Sequence, residues 1–266
     1  MRRDLSAFWS HRDALVAEKG IPGLVEFETN FGNFMGGMSW DEEFLPNVGT
    51  ELVFLATRPT VAGGAAVPAV RYPQFALLWQ VKEPEKVGLS LLVGFQNAVG
   101  LANLLRGQEG GKPLMLGSGS YKEVTVHTAR FLPPSEGEME GMSALPVRFN
   151  FSPSCAIVDD LFVLGSTTQI VEEVIDARGG SVAAGEGVNS GLWVRGAEAV
   201  RLLVENREPL VASTMIKEGF DRAAAERRVD LLLGLARHVA ELSLTLDESR
   251  ASIGVTLRAR FALAGE

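Results

Sequence analysis

The sequence contains few of the residues that catalysis and metal binding most often use. Its 266 residues include one cysteine and three histidines. A single cysteine excludes an intramolecular disulfide framework, and His11, His127 and His238 lack the spacing of a zinc site. Cys155 lies in the apolar run Ser154–Val158, and we interpret it as a buried, unreactive thiol rather than a nucleophile. The composition therefore argues against disulfide, zinc and cysteine chemistry.

Positive charge is also scarce. The chain has 25 Lys and Arg against 33 Asp and Glu, which gives a formal net charge of -8. Proteins that bind nucleic acid neutralise phosphates with a basic face, and runs of Lys or Arg are absent from this sequence. The pair Arg227-Arg228 fits a solvated helix surface. We therefore expect no nucleic-acid partner.

Motifs that mark common catalytic and cofactor sites are missing. Gly107–Pro113 has neither the spacing nor the hydroxyl of a phosphate-binding loop, and Gly117–Gly119 fits a turn better than a dinucleotide fingerprint. Two Gly-Met-Ser starts, at 37–39 and 141–143, lack the final glycine of a serine-hydrolase elbow. We assign no catalytic, cofactor-binding or metal-binding residue and expect no cofactor. A non-catalytic role is favoured over an enzyme.

Long apolar runs are limited to one. Met1–Asp4 is charged but precedes no apolar segment, so no secretion signal is visible. The uncharged run Val87–Leu105 approaches the length of a bilayer span, but Ser, Gln, Asn and Gly interrupt it. We interpret it as a helix buried on most sides and expect no membrane span in this chain.

The first half of the chain is predicted to alternate between helices and strands. Helices are expected at Asp4–Lys19, at Leu24–Phe34, in one turn at Trp40–Leu45 that stops before Pro46, and in a long stretch from Pro84. Strands are expected at Glu51–Thr57 and Gln74–Val81, the second with both faces covered. A hairpin is predicted from Lys112–Gly117 and Tyr121–Phe131, with its turn at Ser118–Ser120.

The second half contains clearer strand-to-helix units. Ser154–Val158 and Leu161–Gly165 flank the two-residue turn Asp159-Asp160, and Ser166 with Gln169 forms a capping box for the next helix. Gly179–Gly187 reads as a flexible connector. Three further elements are predicted: a strand at Gly191–Arg195, a helix at Ala197–Asn206 and a long amphipathic helix at Lys217–His238.

The C-terminus is predicted to be a β-hairpin with one apolar face. Apolar residues alternate from Ala240 to Leu246 and again from Ala251 to Phe261, around a turn at Asp247–Arg250. If residue 246 pairs with 251, then 244 faces 253 and 242 faces 255, which sets apolar against apolar. We therefore expect one buried and one solvated face in this sheet.

Together these patterns predict an α+β fold. We expect a large, mainly antiparallel sheet with helices packed on one face, built from repeated β-β-α units. Residues 1–266 are predicted to form a single α+β domain, with 1–141 and 142–266 as its candidate sub-lobes.

Several segments resemble one bacterial family. They are Phe44–Gly49 ahead of Glu51–Leu55, Pro73–Leu78 with Val81–Pro84, and Ser154–Ser166 ahead of its helix. These segments resemble a bacterial domain of unknown function found in large, predicted extracytoplasmic proteins. The resemblance covers most of Trp40–Ala177 and, loosely, the final hairpin, and the chain resembles a soluble piece or stand-alone relative of such proteins. It implies a location in the periplasm or cell envelope and supplies no catalytic residues.

Three functions remain open. The first is a non-catalytic, extracytoplasmic bacterial domain that acts in binding or assembly with a protein partner, through the polar face of the C-terminal hairpin. The second is a carrier of a lipid or other apolar ligand, held in a pocket between the sheet and Val87–Leu105. The third is an unrecognised hydrolase, which would require Asp41, Glu42, Asp159 or His127 to converge in one cleft.

Overall fold

The computed structural model describes residues 9, 23–61, 67–135, 137, 144–178, 190–248 and 253–261. They form two compact units. Unit 1 is drawn from residues 1–55, 75–133 and 151–180, and unit 2 from residues 56–74, 134–150 and 181–266. The predicted helix Asp4–Lys19 and the connector Gly179–Gly187 lie outside the described residues, apart from Trp9, which is helical and buried.

Unit 1 is built on a six-stranded sheet. The strands are β1 (Val48–Thr57), β2 (Gln74–Val81), β3 (Met115–Tyr121), β4 (Val124–Arg130), β5 (Ser154–Val158) and β6 (Leu161–Gly165). The helices are α1 (Gly23–Phe34), a π-helix (Trp40–Phe44), α2 (Leu45–Asn47), α3 (Pro84–Gln108) and α4 (Thr168–Ala177). The strand order is β1-β2-β6-β5-β4-β3, and the pairings β2–β6, β6–β5, β5–β4 and β4–β3 are antiparallel.

Helices contact both faces of this sheet. Leu78 and Val163 pack in one cluster with α4, whereas Trp79 and Phe162 pack in another with α3. Because successive residues of a strand point to opposite sides, α3 and α4 lie on opposite faces. The prediction of helices on one face is therefore wrong for this sheet, since both sides of its central strands are apolar and each attracts a helix.

The long helix α3 is less buried than predicted. Val87, Leu91, Phe95 and Val99 form its buried stripe, but only 28% of its most apolar window is buried. The interpretation of a helix buried on most sides is therefore wrong: one side packs on unit 1 and the other exposes leucines. By length and composition alone α3 could also cross a bilayer, a property that core helices of soluble proteins share.

The segment before β1 stays helical through Pro46. Ser39 caps the π-helix by accepting a hydrogen bond from Glu42 N, and α2 follows at once with Pro46 in its first turn. The prediction that the helical turn stops before Pro46 is wrong, because the first turn of a helix does not need the missing N–H. Gly36 and Gly37 both have positive φ and separate α1 from the π-helix.

The hairpin β3–β4 turns later than predicted. Tyr121 pairs with Val124, so the two turn residues are Lys122 and Glu123, both with positive φ. Positive φ at both central positions is the geometry of a type I′ turn. Ser118–Ser120 lies inside β3, and the glycine-rich stretch that suggested a turn is strand.

The β5–β6–α4 unit matches its prediction closely. Both strands and the Asp159-Asp160 turn are confirmed. The helix cap is one residue later than expected: Thr167 accepts a hydrogen bond from Ile170 N, while the Ser166 hydroxyl accepts one from Phe75 N in β2. The order β-β-α also occurs at β1–β2–α3, but a regular repetition through the chain is not clear.

Besides the 3-10 helix Val147–Asn150, unit 2 contains the strands of a three-stranded sheet and the helices that connect them. They are β7 (Ser190–Arg195), α5 (Gly196–Glu205), α6 (Arg207–Glu218), α7 (Arg222–Ala236), β8 (Val239–Glu248) and β9 (Ile253–Phe261). The sheet order is β7-β8-β9 and both pairings are antiparallel. Val211, Ala225, Val229 and Leu233 form the buried contact between α6 and α7.

The predicted helix Lys217–His238 is two helices. Gly219 has positive φ and ends α6, and the Asp221 carboxylate then caps α7 by accepting a hydrogen bond from Ala224 N. Gly219 is a C-terminal glycine stop and Asp221 an N-terminal start signal. The prediction of one continuous helix overlooked both.

The C-terminal hairpin has the predicted faces but a different register. Leu246 pairs with Val255 rather than with residue 251, a shift of four residues, because both strands continue to the pair Glu248 and Ile253. An even shift keeps every side chain on its own face, so Leu244 still pairs with an apolar residue, Leu257. The α+β class and the mainly antiparallel sheet are confirmed.

Candidate functional site

An open pocket of about 470 Å³ lies in unit 1, between α3 and strands β4–β6. Small-molecule sites in proteins typically measure about 300–1,000 Å³. Leu92, Val124, Ile157 and Phe162 supply apolar walls. The pocket is thus a helix–sheet crevice with apolar walls on one part and polar groups, among them Thr125 and His127, on another.

Two residue choices shape this pocket. A Cβ at Gly88 would lie 2.9 Å from Ile157 Cδ1, so glycine lets α3 approach β5 closely. Cys155 and Ala156 lie at the buried base, whereas Glu123 and Asp159 are exposed around it. An apolar base with polar groups around it suits a ligand that has both an apolar and a polar part.

The pocket brings Cys155 and His127 next to each other, as directly paired residues of β4 and β5. Burial raises the pKa of the Cys155 thiol to about 12, so the thiol is protonated at neutral pH. A cysteine nucleophile requires the thiolate. No hydrogen bond joins the two side chains within the described structure, and this pair therefore does not form a nucleophile–base dyad.

The residues of the hydrolase hypothesis are divided between two places. His127 and Asp159 both line the pocket, and Asp159 forms an ion pair with Arg178. Asp41 and Glu42 lie instead at the start of the π-helix, where Ser39 donates a hydrogen bond to Asp41 and accepts one from Glu42 N. Among the described residues, no group of three or more His, Cys, Asp or Glu could hold a metal ion.

A hydroxyl cluster beneath the start of α4 was not anticipated from the sequence. The Ser154 hydroxyl lies 3.0 Å from Thr128 Oγ1 and 2.9 Å from Thr168 Oγ1, and donates to the Ser152 carbonyl oxygen. Thr168 N donates to the Ser152 hydroxyl. The hydrogen-bonding groups of this cluster are paired with one another. We therefore interpret it as a structural contact between α4 and the sheet and not as a ligand site. The sequence signal for this cluster was four hydroxyl residues, Thr128, Ser152, Ser154 and Thr168, close to the ends of strands and of a helix.

The second candidate surface is the apolar side of the sheet in unit 2. We call it the apolar sheet face, and its residues are Leu192, Val194, Leu242, Leu244, Val255 and Leu257. Cross-strand pairs Leu192–Leu244, Val194–Leu242 and Leu244–Leu257 place them side by side. None carries a charge.

The apolar sheet face is open to solvent. Leu257 is 72% exposed, Val255 63% and Leu244 40%, while polar Ser243 and Thr245 of the same β8 are half-buried. The expectation of a buried apolar face is therefore wrong, because α5, although it contacts β8, leaves the apolar side uncovered; the polar side is solvated along β9 and half-buried along β8. The candidate contact surface moves from the polar face to the apolar one.

Comparisons with known proteins return nothing: no family model, curated protein or solved structure matches this chain. The resemblance to a bacterial family of unknown function therefore stays a prediction. The pocket and the apolar sheet face are the features of the described structure that bear on function.

Proposed function

We propose that this chain is a non-catalytic bacterial protein that acts in binding or assembly. The observation that carries the proposal is the apolar sheet face, on which large side chains lie side by side with high exposure. Contiguous exposed apolar surface of this kind marks interaction sites in soluble proteins, because leaving it in water is unfavourable. The protonated Cys155 and the separation of Asp41 from His127 support a role without catalysis.

Sedimentation velocity over a wide concentration range tests the assembly function. We expect a mass above the 28.6 kDa of one chain, and a lower mass in the double variant Leu192→Ser, Leu244→Ser, whose two side chains are direct neighbours on the apolar sheet face. Leu231→Ser is the control, since Leu231 lies on α7 and is more exposed than either of the two residues. A chain that stays monomeric at every concentration would contradict assembly, as would an equal effect of the control.

A second candidate function is favoured by the pocket: carriage of a lipid or other apolar ligand. Its support is the 470 Å³ volume between α3 and the sheet, whose walls include Leu92, Ile157 and Phe162. Native mass spectrometry of gently purified protein, with an organic extract run alongside, tests it. A bound apolar molecule that is lost in Leu92→Glu, which places a charge on the pocket wall, would support carriage. A clean apo mass would argue against it.

We also propose an extracytoplasmic location, which is supported only by the family resemblance. Fractionation of bacteria that express the natural gene at its own level, followed by immunoblotting, tests it. Recovery with periplasmic or envelope markers is the expected result, and recovery with cytoplasmic markers would refute it.

A further inference from the structure

Strand β9 forms one edge of the sheet in unit 2, since the strand order is β7-β8-β9. One side of its backbone therefore has no strand partner within the described part of the chain, and residues 254–261 are all exposed. Soluble proteins usually shorten, cover or bend such edges, because an open edge can pair with another strand. β9 is nine residues long, and its one described irregularity lies near the end, where it faces Val239 and Glu241.

The sequence of β9 is self-complementary about its middle residue, Leu257. In an antiparallel pair of two β9 strands centred there, residue 253 faces 261, Val255 faces Ala259 and Leu257 faces its own copy. All nine residues then pair, and apolar residues meet apolar residues. A two-fold interface requires this kind of self-complementary patch.

The two arginines of β9 favour this register over its neighbours. Centred on Leu257, the pairing sets Arg258 opposite Thr256 and Arg260 opposite Gly254. A pairing centred on residue 258 would place Arg258 against its own copy, and like charges directly opposite are destabilising. A centre at 256 avoids that clash but leaves the last two residues of β9 without partners in the opposite β9.

We propose that two copies of this chain join edge to edge through β9, in an antiparallel pair with Leu257 on the two-fold axis. The joined sheet has six strands, and the apolar sheet face runs across both copies. A second copy fits better than an unrelated peptide because charge placement, side-chain alternation and strand length all agree in one symmetric register. This dimer names a second copy as the partner within the assembly function proposed above, and it rests on that function. Its contacts are at the β9 edge, so the apolar sheet face stays open to further association and the variant Leu192→Ser, Leu244→Ser is expected to leave the dimer intact.

Cysteine cross-linking in a Cys155→Ala background tests the register. Directly opposed residues in an antiparallel pair have Cα atoms about 4.5–5.5 Å apart, within the about 4.4–6.8 Å that a disulfide spans. Leu257→Cys is therefore expected to give a covalent dimer on mild oxidation. Leu257 is exposed, so this replacement leaves the core of the unit unchanged.

Single variants Val255→Cys and Ala259→Cys are the register controls. Each is expected not to cross-link to itself, since its own copy lies four strand positions away, about 13 Å. A mixture of the two variants is expected to give the covalent dimer, because Val255 faces Ala259. Ser118→Cys measures cross-linking by random collision, because Ser118 lies in the middle of β3, an edge strand of the sheet in unit 1.

Cross-linking of Leu257→Cys above the Ser118→Cys level, together with the mixed pair, supports the proposal. Cross-linking no greater than the Ser118→Cys level overturns it. Sedimentation of the unmodified chain then separates the two ideas: a dimer without the cross-link rejects only the β9 register, and a monomer rejects the assembly function as well.

Discussion

Replacing Gly165 with alanine is expected to destabilise unit 1, because an added methyl group has no room there. A Cβ at this position would lie 2.7 Å from Val171 Cγ2, 2.8 Å from Ile170 Cγ2 and 2.9 Å from the Thr167 carbonyl oxygen. Val171 and Ile170 are fully buried, and the Thr167 oxygen is backbone at the start of α4. Overpacking of this kind costs about 1–3 kcal/mol.

Urea unfolding followed by tryptophan fluorescence measures this cost. Trp9, Trp40 and Trp79 all belong to the hydrophobic cluster that packs α3 against the sheet of unit 1, so the fluorescence reports mainly on that unit. Gly119→Ala is the matched control, since a Cβ there meets no atom within 4 Å and is expected to be neutral or to stabilise by about 0.5–1 kcal/mol. An unchanged midpoint for Gly165→Ala would refute the packing argument.

Two further outcomes follow from buried groups in unit 1. Ser154→Ala is expected to cost about 0.5–1.5 kcal/mol, because it removes a fully buried hydroxyl that donates to the Ser152 carbonyl oxygen and lies within hydrogen-bond distance of the Thr128 and Thr168 hydroxyls; an effect no larger than that of exposed Ser118→Ala would contradict this. Cys155, with its pKa raised to about 12 by burial, is expected to react slowly with a thiol reagent at neutral pH and rapidly after unfolding in urea. Equal rates in the two states would show that the thiol is accessible and ionised.

Short-range signals predicted the elements of unit 1 well. The turn Asp159-Asp160 between two apolar runs is read from a few neighbouring residues, and the two strands end where predicted. The turn Lys122-Glu123 was not predicted, because its residues have positive φ values although neither is glycine or asparagine. Gly117 and Gly119 nearby supplied a stronger but misleading turn signal.

The pocket and the exposed surface depend on contacts that local patterns do not contain. The pocket is lined by Gly88 of α3 and Ile157 of β5, residues far apart in the chain. Alternation correctly grouped Leu244 and Leu257 on one face, but alternation does not say whether a helix covers that face. The sequence therefore predicted which side chains lie together and missed which of them face solvent.

The register of the C-terminal hairpin shows how one such error changes a functional hypothesis. A hairpin in which residue 246 paired with 251 would begin its second strand at 251, so the middle of that strand would lie before Leu257. The observed pairing of Glu248 with Ile253 makes β9 run from 253 to 261 and places Leu257 at its centre. Because the shift is even, the apolar face is the same in both registers, and the pattern alone cannot tell them apart. The residue at which a two-fold axis could cross this edge therefore depends on the register of the folded hairpin and cannot be found from the alternation alone. Cross-linking at residue 257 tests that position and the dimer together.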